Sequence, residues 1–183
     1  MIKYNVKRYL AIIAVSAILT FLICVYLFNL SIKESVSWSI STVSFIVLFF
    51  IQFAWKWRIF CGWLVPFPNL NGCWKGNLES SYEGVPQKIP VEIFIKQTFL
   101  HIQIKLSTGE SKSNSITASF NIDTDREIKQ LCYSYQNNPK CKLQESSPIH
   151  YGTVIFDIES NDEMKGQYWT SRKTVGDISV FRV

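Results

Sequence analysis

The chain has 183 residues, 48% of them hydrophobic, and a formal net charge of +5 at pH 7, a length that suits one modest domain and a short additional region. The whole net charge resides in residues 1–58, which hold six basic residues and one acidic residue, whereas residues 59–183 hold 13 of each. This distribution excludes a basic surface spread over the protein, of the kind that binds polyanions, so we expect no DNA or RNA partner.

Two stretches without charge dominate the first third of the chain. No charged residue occurs at 9–32 or at 35–55, and a helix crosses a bilayer with about 20 apolar residues. We therefore predict transmembrane helices at 9–31 and 36–57. The alternative for the first stretch is a signal peptide, but the run is longer than a typical signal core and a second apolar stretch follows it.

The basic residues around the two stretches predict their orientation. Three basic residues precede the first stretch, two follow the second, and Lys33 in the connection is offset by Glu34. Basic flanks of membrane helices tend to remain in the cytoplasm. We therefore expect residues 1–8, and the whole region after Arg58, to lie inside the cell.

Small, weakly polar residues repeat at helical spacing in both predicted spans. They are Ser16, Thr20 and Cys24 in the first span, and Ser37, Ser41 and Ser44 in the second. Such residues let membrane helices approach closely, so they serve either to pack the two helices together or to pack neighbouring protomers as well. Neither span contains Asp, Glu, Lys, Arg or His, which argues against a transporter or proton pump.

A linker is predicted at 58–71, after the second span. Aromatic residues cluster where that span ends, as they do at membrane interfaces; they are Phe53, Trp55, Trp57, Phe60 and Trp63. Pro66 and Pro68 then end any helix, because each removes a backbone hydrogen-bond donor.

From Gly72 onwards the hydrophobic pattern changes to a period of two. Leu100, Ile102 and Ile104, for example, alternate with polar residues, which indicates strands with one buried face. We predict strands at 72–81, 90–97, 99–107, 112–122, 127–135, 149–159, 163–172 and 175–183. Turn signals such as Asn137-Asn138-Pro139 separate most of them. The boundary at 97–98 lacks a glycine turn, so a count of seven strands stays open.

Eight antiparallel strands can close into a small up-and-down barrel without exposed edges, and we predict such a compact barrel at 72–183. In this topology the first and seventh strands end at the same rim, and their inward faces start apolar and become polar there. The candidate ligand-binding residues are Trp74, Ser80, Tyr82, Tyr168, Thr170 and Arg172.

These side chains suit an anionic ligand with aromatic rings. Aromatic residues stack on bases, hydroxyls orient a ligand, and a guanidinium pairs with phosphate, so a nucleotide is a natural guest. The alternative is that Trp74 and Tyr168 belong to the core and that Arg172 is a solvated strand end.

Catalytic and metal-binding signatures are absent from the sequence. It contains two histidines and no motif of a zinc protease, a dinucleotide-binding fold, a P-loop or a nucleophile elbow. None of the five cysteines forms a C-x-x-C pair, so we interpret them as packing residues. Acidic residues at 157–163 flank a predicted turn, which is typical of a solvated surface. We expect no enzyme activity, no metal and no cofactor.

Two motifs, together with the two spans and the Pro-containing linker, resemble a known family over essentially the whole chain. The motifs are Gly72-x-Trp74-x-Gly76-x-Leu78-x-Ser80-Ser81-Tyr82 and Gly166-x-Tyr168-Trp169-Thr170-x-Arg172-Lys173. The chain resembles the two-transmembrane β-barrel effectors of bacterial CBASS anti-phage defence, which are CD-NTase-associated proteins.

The resemblance implies a receptor. In this family a partner nucleotidyltransferase, the CD-NTase, makes a 3′,3′-cyclic dinucleotide that the barrel binds. The protein then forms a homo-oligomer, and its transmembrane helices disrupt the inner membrane, which causes abortive infection. The residues alone leave two other hypotheses open: a membrane-anchored adaptor for a partner protein, and a lipocalin-like barrel that holds one small lipophilic ligand.

Overall fold

A computed structural model describes residues 6–80, 87–123, 125–145 and 147–183. The chain divides between Pro66 and Phe67 into two compact units. The first unit contains two long helices, and the second is built from β-strands.

The first unit contains helix α1, Val6–Tyr26, and helix α2, Ile32–Gln52. Each has 21 residues and is long and apolar enough to cross a membrane by length and composition. Both helices begin and end earlier than the spans predicted at 9–31 and 36–57. Two short 3-10 helices, Ala54–Lys56 and Arg58–Phe60, follow α2.

The early start of α2 has a local cause in a capping box. The Ser31 side chain accepts a hydrogen bond from the Glu34 backbone N–H, and the Glu34 carboxylate accepts one from the Ser31 backbone N–H at 3.0 Å. This reciprocal arrangement satisfies two donors that a helix start leaves without partners. Before it, Asn29 turns the chain in a left-handed conformation, with φ of 51°.

Helices α1 and α2 pack through small residues. On α1 the predicted face is the contacting one, since Cys24 is buried and Thr20 is half-buried. On α2 the buried residues are Ser35 and Ser39, and the Ser39 hydroxyl donates to the Ser35 carbonyl at 2.7 Å.

The predicted stripe of α2 faces elsewhere. Ser37, Ser41 and Ser44 are exposed, and the Ser41 and Ser44 hydroxyls donate to carbonyls of their own helix. Helix α2 therefore presents a second face of small residues, which its packing against α1 does not use.

The second unit is a closed antiparallel barrel in which each strand pairs with the next and the first pairs with the eighth. The strands are β1 Gly72–Ser80, β2 Gln87–Gln97, β3 Ile102–Ser107, β4 Ser111–Asp123, β5 Ile128–Pro139, β6 His150–Ile158, β7 Glu163–Thr170 and β8 Val175–Arg182. The predicted fold class, a helical hairpin followed by an eight-stranded up-and-down barrel, is confirmed.

The boundary at 97–98, where the sequence offers no glycine, is a turn between β2 and β3 that Thr98 stabilises. The Thr98 backbone N–H donates to the His101 carbonyl at 2.7 Å, and the Thr98 hydroxyl accepts from the His101 N–H at 3.1 Å. Because a hydroxyl can supply this turn chemistry, β2 and β3 are separate strands and the count is eight.

The predicted turn at Asn137-Asn138-Pro139 is wrong, because β5 continues through Pro139, which pairs with Ser111. Asn137 points into the barrel, where its Oδ1 accepts a hydrogen bond of 2.7 Å from the buried Ser113 hydroxyl. Pro139 is tolerated because it ends the strand. The connection to β6 is instead the loop at 140–149.

One end of the barrel is closed. The Phe67 ring stacks on Phe120, with centroids 5.2 Å apart, and contacts Phe99 at 5.6 Å. The chain just before β1 crosses this end, and the Gln97 side chain fixes it by accepting from the Leu70 N–H at 2.8 Å. Among the described residues, this cover leaves the opposite end as the side from which a ligand can enter.

Candidate ligand-binding site

The opposite end of the barrel holds an open cavity of about 580 Å³, within the range of roughly 300–1,000 Å³ that is typical of small-molecule sites. Its deeper walls are apolar and include Leu78, Val154 and Ile178. Polar side chains follow towards the mouth, because β1, β5 and β7 each become polar where they end at this rim.

Four of the six predicted site residues line this cavity. They are Ser80, Tyr168, Thr170 and Arg172. Tyr82, a fifth predicted residue, lies outside the residues that the structure describes. The first four come from β1, β7 and the turn after β7, as the up-and-down topology predicts.

Trp74, the sixth predicted residue, lies at the closed end of the barrel and does not line the cavity. It is completely buried, its indole N–H donates to the Leu70 carbonyl at 3.0 Å, and the Arg182 guanidinium lies 4.9 Å from its ring centroid. Trp74 shares the inward face of β1 with Ser80, but six residues of strand, or about 20 Å, separate the two.

A glycine on β8 allows residues of β7 and β1 to meet. The strand register places Tyr168, Gly176 and Ser80 in one row. The Tyr168 ring passes over Gly176, where a Cβ would lie 2.6 Å from a ring carbon. Tyr168 thereby reaches Ser80 and hydrogen-bonds with its side chain. Burial raises the pKa of Tyr168, while this hydrogen bond and the positive charge of Arg172 oppose the rise.

The same arrangement recurs on the neighbouring strands β5 and β6. Tyr135 on β5 lies against Gly152 on β6, where a Cβ would be 2.4 Å from its ring. Burial, with the nearby Tyr168, raises the pKa of Tyr135 to about 12, although Arg172 opposes the rise. Both tyrosines are therefore neutral at physiological pH and present hydroxyl groups to the cavity.

Arg172 reaches the cavity from a turn. Strand β7 ends at Thr170, so the strand alternation that predicted the direction of Arg172 does not extend to it. The turn contains Lys173 in a left-handed conformation, with φ of 63°, and the Thr170 hydroxyl accepts from the Arg172 N–H at 3.2 Å. The guanidinium Nη1 donates to the Ser147 hydroxyl at 2.9 Å, which orients it at the mouth.

The loop between β5 and β6, together with the first residue of β6, supplies residues that the sequence did not predict. Leu143, Ser147 and His150 line the mouth. The His150 Nδ1–H donates a hydrogen bond of 2.9 Å to the Pro148 carbonyl. Burial lowers the pKa of His150, the hydrogen bond to Pro148 opposes this, and the positive charge of Arg172 lowers it further. His150 is therefore neutral at pH 7.

The charges at the mouth favour an anion modestly. Lys88 and Arg172 line the cavity together with Glu110, and Lys88 also pairs with the exposed Glu79 at 3.3 Å. Within the described ranges, no group of three or more His, Cys, Asp or Glu side chains is placed to hold a metal. The arrangement can bind and orient a ligand through a guanidinium, hydroxyls and aromatic rings.

The sheet forms a complete barrel that is covered at one end and holds a polar, aromatic cavity at the other. This architecture is that of a receptor domain for a small ligand. Comparison with known proteins gives its family: residues 65–182 match the family model described as Cap15, cyclic dinucleotide receptor domain. The chain belongs to the Cap15 family, which confirms the family resemblance of its two motifs.

Relatives from three bacteria support this assignment, and all are named CD-NTase-associated protein 15. The chain is 34% identical over 146 residues to the protein from Staphylococcus schleiferi, covering 79% of this chain and 77% of that protein. It is 27% identical over 183 residues to the one from Escherichia albertii, covering 93% and 86%. It is 30% identical over 196 residues to the one from Yersinia aleksiciae, covering 99% and 92%.

Proposed function

We propose that this chain binds a 3′,3′-cyclic dinucleotide in the cavity at the open end of its barrel. The observation that carries the proposal is that one cavity of about 580 Å³ is lined by four side chains that the sequence predicted as nucleotide-binding residues. They are Ser80, Tyr168, Thr170 and Arg172. The cyclic dinucleotide receptor domain that defines the family supports the choice of ligand.

The chemistry of the lining suits the parts of such a ligand. A guanidinium pairs with phosphate through two parallel hydrogen bonds, and Arg172 is oriented for this by Ser147. Bases stack on aromatic rings, which Tyr135 and Tyr168 provide. Thr170 lines the same cavity, and its hydroxyl suits a ribose oxygen.

The remaining steps of the proposal concern the hairpin. The ligand, made by a partner CD-NTase, drives assembly of several copies, and α1 and α2 then disrupt the bacterial inner membrane and end the infection. The barrel and both termini lie in the cytoplasm. The length and apolar character of the helices support a membrane role, and the exposed face formed by Ser37, Ser41 and Ser44 suits close packing between copies.

The first prediction concerns ligand-dependent stability. The full chain in detergent micelles, melted with each member of a panel of 3′,3′-cyclic dinucleotides, should be stabilised by one of them. A ligand at 100 times its Kd adds about 2.7 kcal/mol, which corresponds to a rise in Tm of about 10 °C for a domain of this size. The linear dinucleotide with the same bases is the control and should give a much smaller rise. Equal melting with and without every panel member would contradict the proposal.

The second prediction separates an effector from an adaptor. Bacteria that produce this chain should lose their membrane potential, measured with a potential-sensitive dye, once a CD-NTase that makes the ligand is induced. Cells that produce the Arg172→Ala variant should retain their potential under the same induction. An intact potential in cells whose wild-type chain binds the ligand would favour the adaptor hypothesis instead.

A further inference from the structure

The floor of the cavity contains a hydroxyl group that the proposed contacts at the mouth do not use. Tyr133 lies on the inward face of β5, two residues deeper in the barrel than Tyr135, and is only 3% exposed. Its ring packs beside Tyr135 and Phe156, with centroid distances of 6.0 and 6.2 Å. Tyr133 points inward and is one of the residues that line the cavity, so its hydroxyl lies inside the barrel.

This hydroxyl lacks a partner within the described part of the chain. Its oxygen is buried, and no described group forms a hydrogen bond with it. A buried polar group without a partner is costly and rare in native proteins, so each instance needs an explanation. Burial and the neighbouring Tyr135 both raise the pKa of Tyr133, so the hydroxyl keeps its proton and can donate a hydrogen bond to an acceptor.

Two other hydroxyl groups around the cavity, those of Ser113 and Tyr168, have hydrogen-bond partners within the protein. The Ser113 hydroxyl donates to Asn137 at 2.7 Å, and Tyr168 hydrogen-bonds with Ser80. Tyr133 differs from them because it combines complete burial, an inward direction and a hydroxyl that no described residue engages.

We infer that the Tyr133 hydroxyl reads the base of one nucleotide of the ligand. It donates a hydrogen bond to a ring nitrogen or carbonyl oxygen at the edge of a base that enters the barrel, while the phosphates remain at the mouth near Arg172. The inference rests on the proposed function and deepens it. Since bases differ in their acceptors whereas phosphates are common to all panel members, Tyr133 is a specificity-determining residue.

The test is the substitution Tyr133→Phe, which removes the hydroxyl and keeps the ring. Affinities are measured for the full chain in micelles against 3′,3′-cyclic dinucleotides with every combination of A, G, C and U. The affinity for the preferred ligand should fall by about tenfold, and the ratio between preferred and other ligands should shrink. Tyr151→Phe is the matched control, because Tyr151 is exposed on the outside of the barrel, and it should bind like the wild type.

Stability without ligand gives an independent readout. The Tyr133→Phe variant should melt at the same temperature as the wild type or above it, because no hydrogen bond among the described residues is lost. A lower melting temperature would show that the fold satisfies the hydroxyl and would overturn the inference. The inference would also be overturned if Tyr133→Phe left the affinity for the preferred ligand unchanged, or if it lowered the affinity for every cyclic dinucleotide equally. If the wild type binds a panel member, these outcomes remove the inference alone; if it binds none, the proposed function fails as well.

Discussion

Replacing Arg172 by alanine should weaken cyclic dinucleotide binding by about 100-fold while leaving the melting temperature of the free protein nearly unchanged. Truncating one partner of a buried, hydrogen-bonded charge pair costs about 2–5 kcal/mol. The turn that carries Arg172 is held by contacts that its side chain does not make, such as the hydrogen bond of 3.0 Å between the Thr170 N–H and the Thr174 carbonyl. Isothermal titration calorimetry on the full chain in micelles measures the loss.

Two further variants define what Arg172 contributes. Arg172→Lys keeps the charge but loses the fork that matches phosphate, so its affinity should fall by about tenfold. Arg126→Ala removes a guanidinium that is 78% exposed beside Asp123, and it should bind like the wild type. Should Arg172→Ala retain full affinity, Arg172 would not belong to the site.

Replacing Gly176 by alanine should lower the stability of the barrel more than an ordinary surface change. A Cβ at this position would lie 2.0 Å from the Glu79 carbonyl oxygen and 2.6 Å from the Tyr168 ring. Because the first of these atoms belongs to the backbone of β1, the added methyl group must displace a strand. We expect a loss of about 2–4 kcal/mol, seen as a fall in Tm of about 10 °C. Ligand affinity should fall too, since Tyr168 and Ser80 would shift.

Gly109→Ala is the matched control for this effect. Gly109 precedes β4, and a Cβ there would meet no atom within 4 Å. The substitution should therefore change stability by less than about 1 kcal/mol. Equal melting temperatures for the Gly176→Ala and Gly109→Ala variants would refute the close approach of Tyr168 to the backbone of β8.

The fold could be predicted because its main cause is visible in the sequence. Alternation of apolar and polar residues, as at Ile102–Leu106, encodes a strand with one buried face, and eight such strands leave few topologies. The limits of this signal are local. The turn at Thr98 is stabilised by a threonine hydroxyl and not by a glycine. Strand β5 continues through Pro139, where the residue types suggested a turn.

The site could be predicted only in part. Alternation told which face of β1 points inward, but not how deep each residue lies, so Trp74 and Ser80 were grouped although they occupy opposite ends of the barrel. Tyr133 and Tyr135 alternate with outward-facing residues of β5, and this alternation is the same whether inward side chains fill a core or line a cavity. Ser147 lies in the loop before β6 and His150 is the first residue of that strand, and the path of the loop depends on packing far away in the sequence.

The hairpin shows the same limit. Small residues occur on two faces of α2, and the pattern of Ser37, Ser41 and Ser44 could not indicate which face contacts α1. The buried face formed by Ser35 and Ser39 begins next to Glu34, in a region that the charge pattern assigned to the connection. The capping box at Ser31 explains why the helix starts before that point.

Closure of the barrel by β1 and β8 also sets an order of events during synthesis. Trp74 pairs with Arg182, so the first strand has no second neighbour until almost all the remaining chain has been made. At about 5–20 residues per second, both helices precede a closed barrel by several seconds. A nascent chain therefore carries its hairpin before its receptor can close, and throughout that interval β1 exposes an unpaired edge that could join another chain.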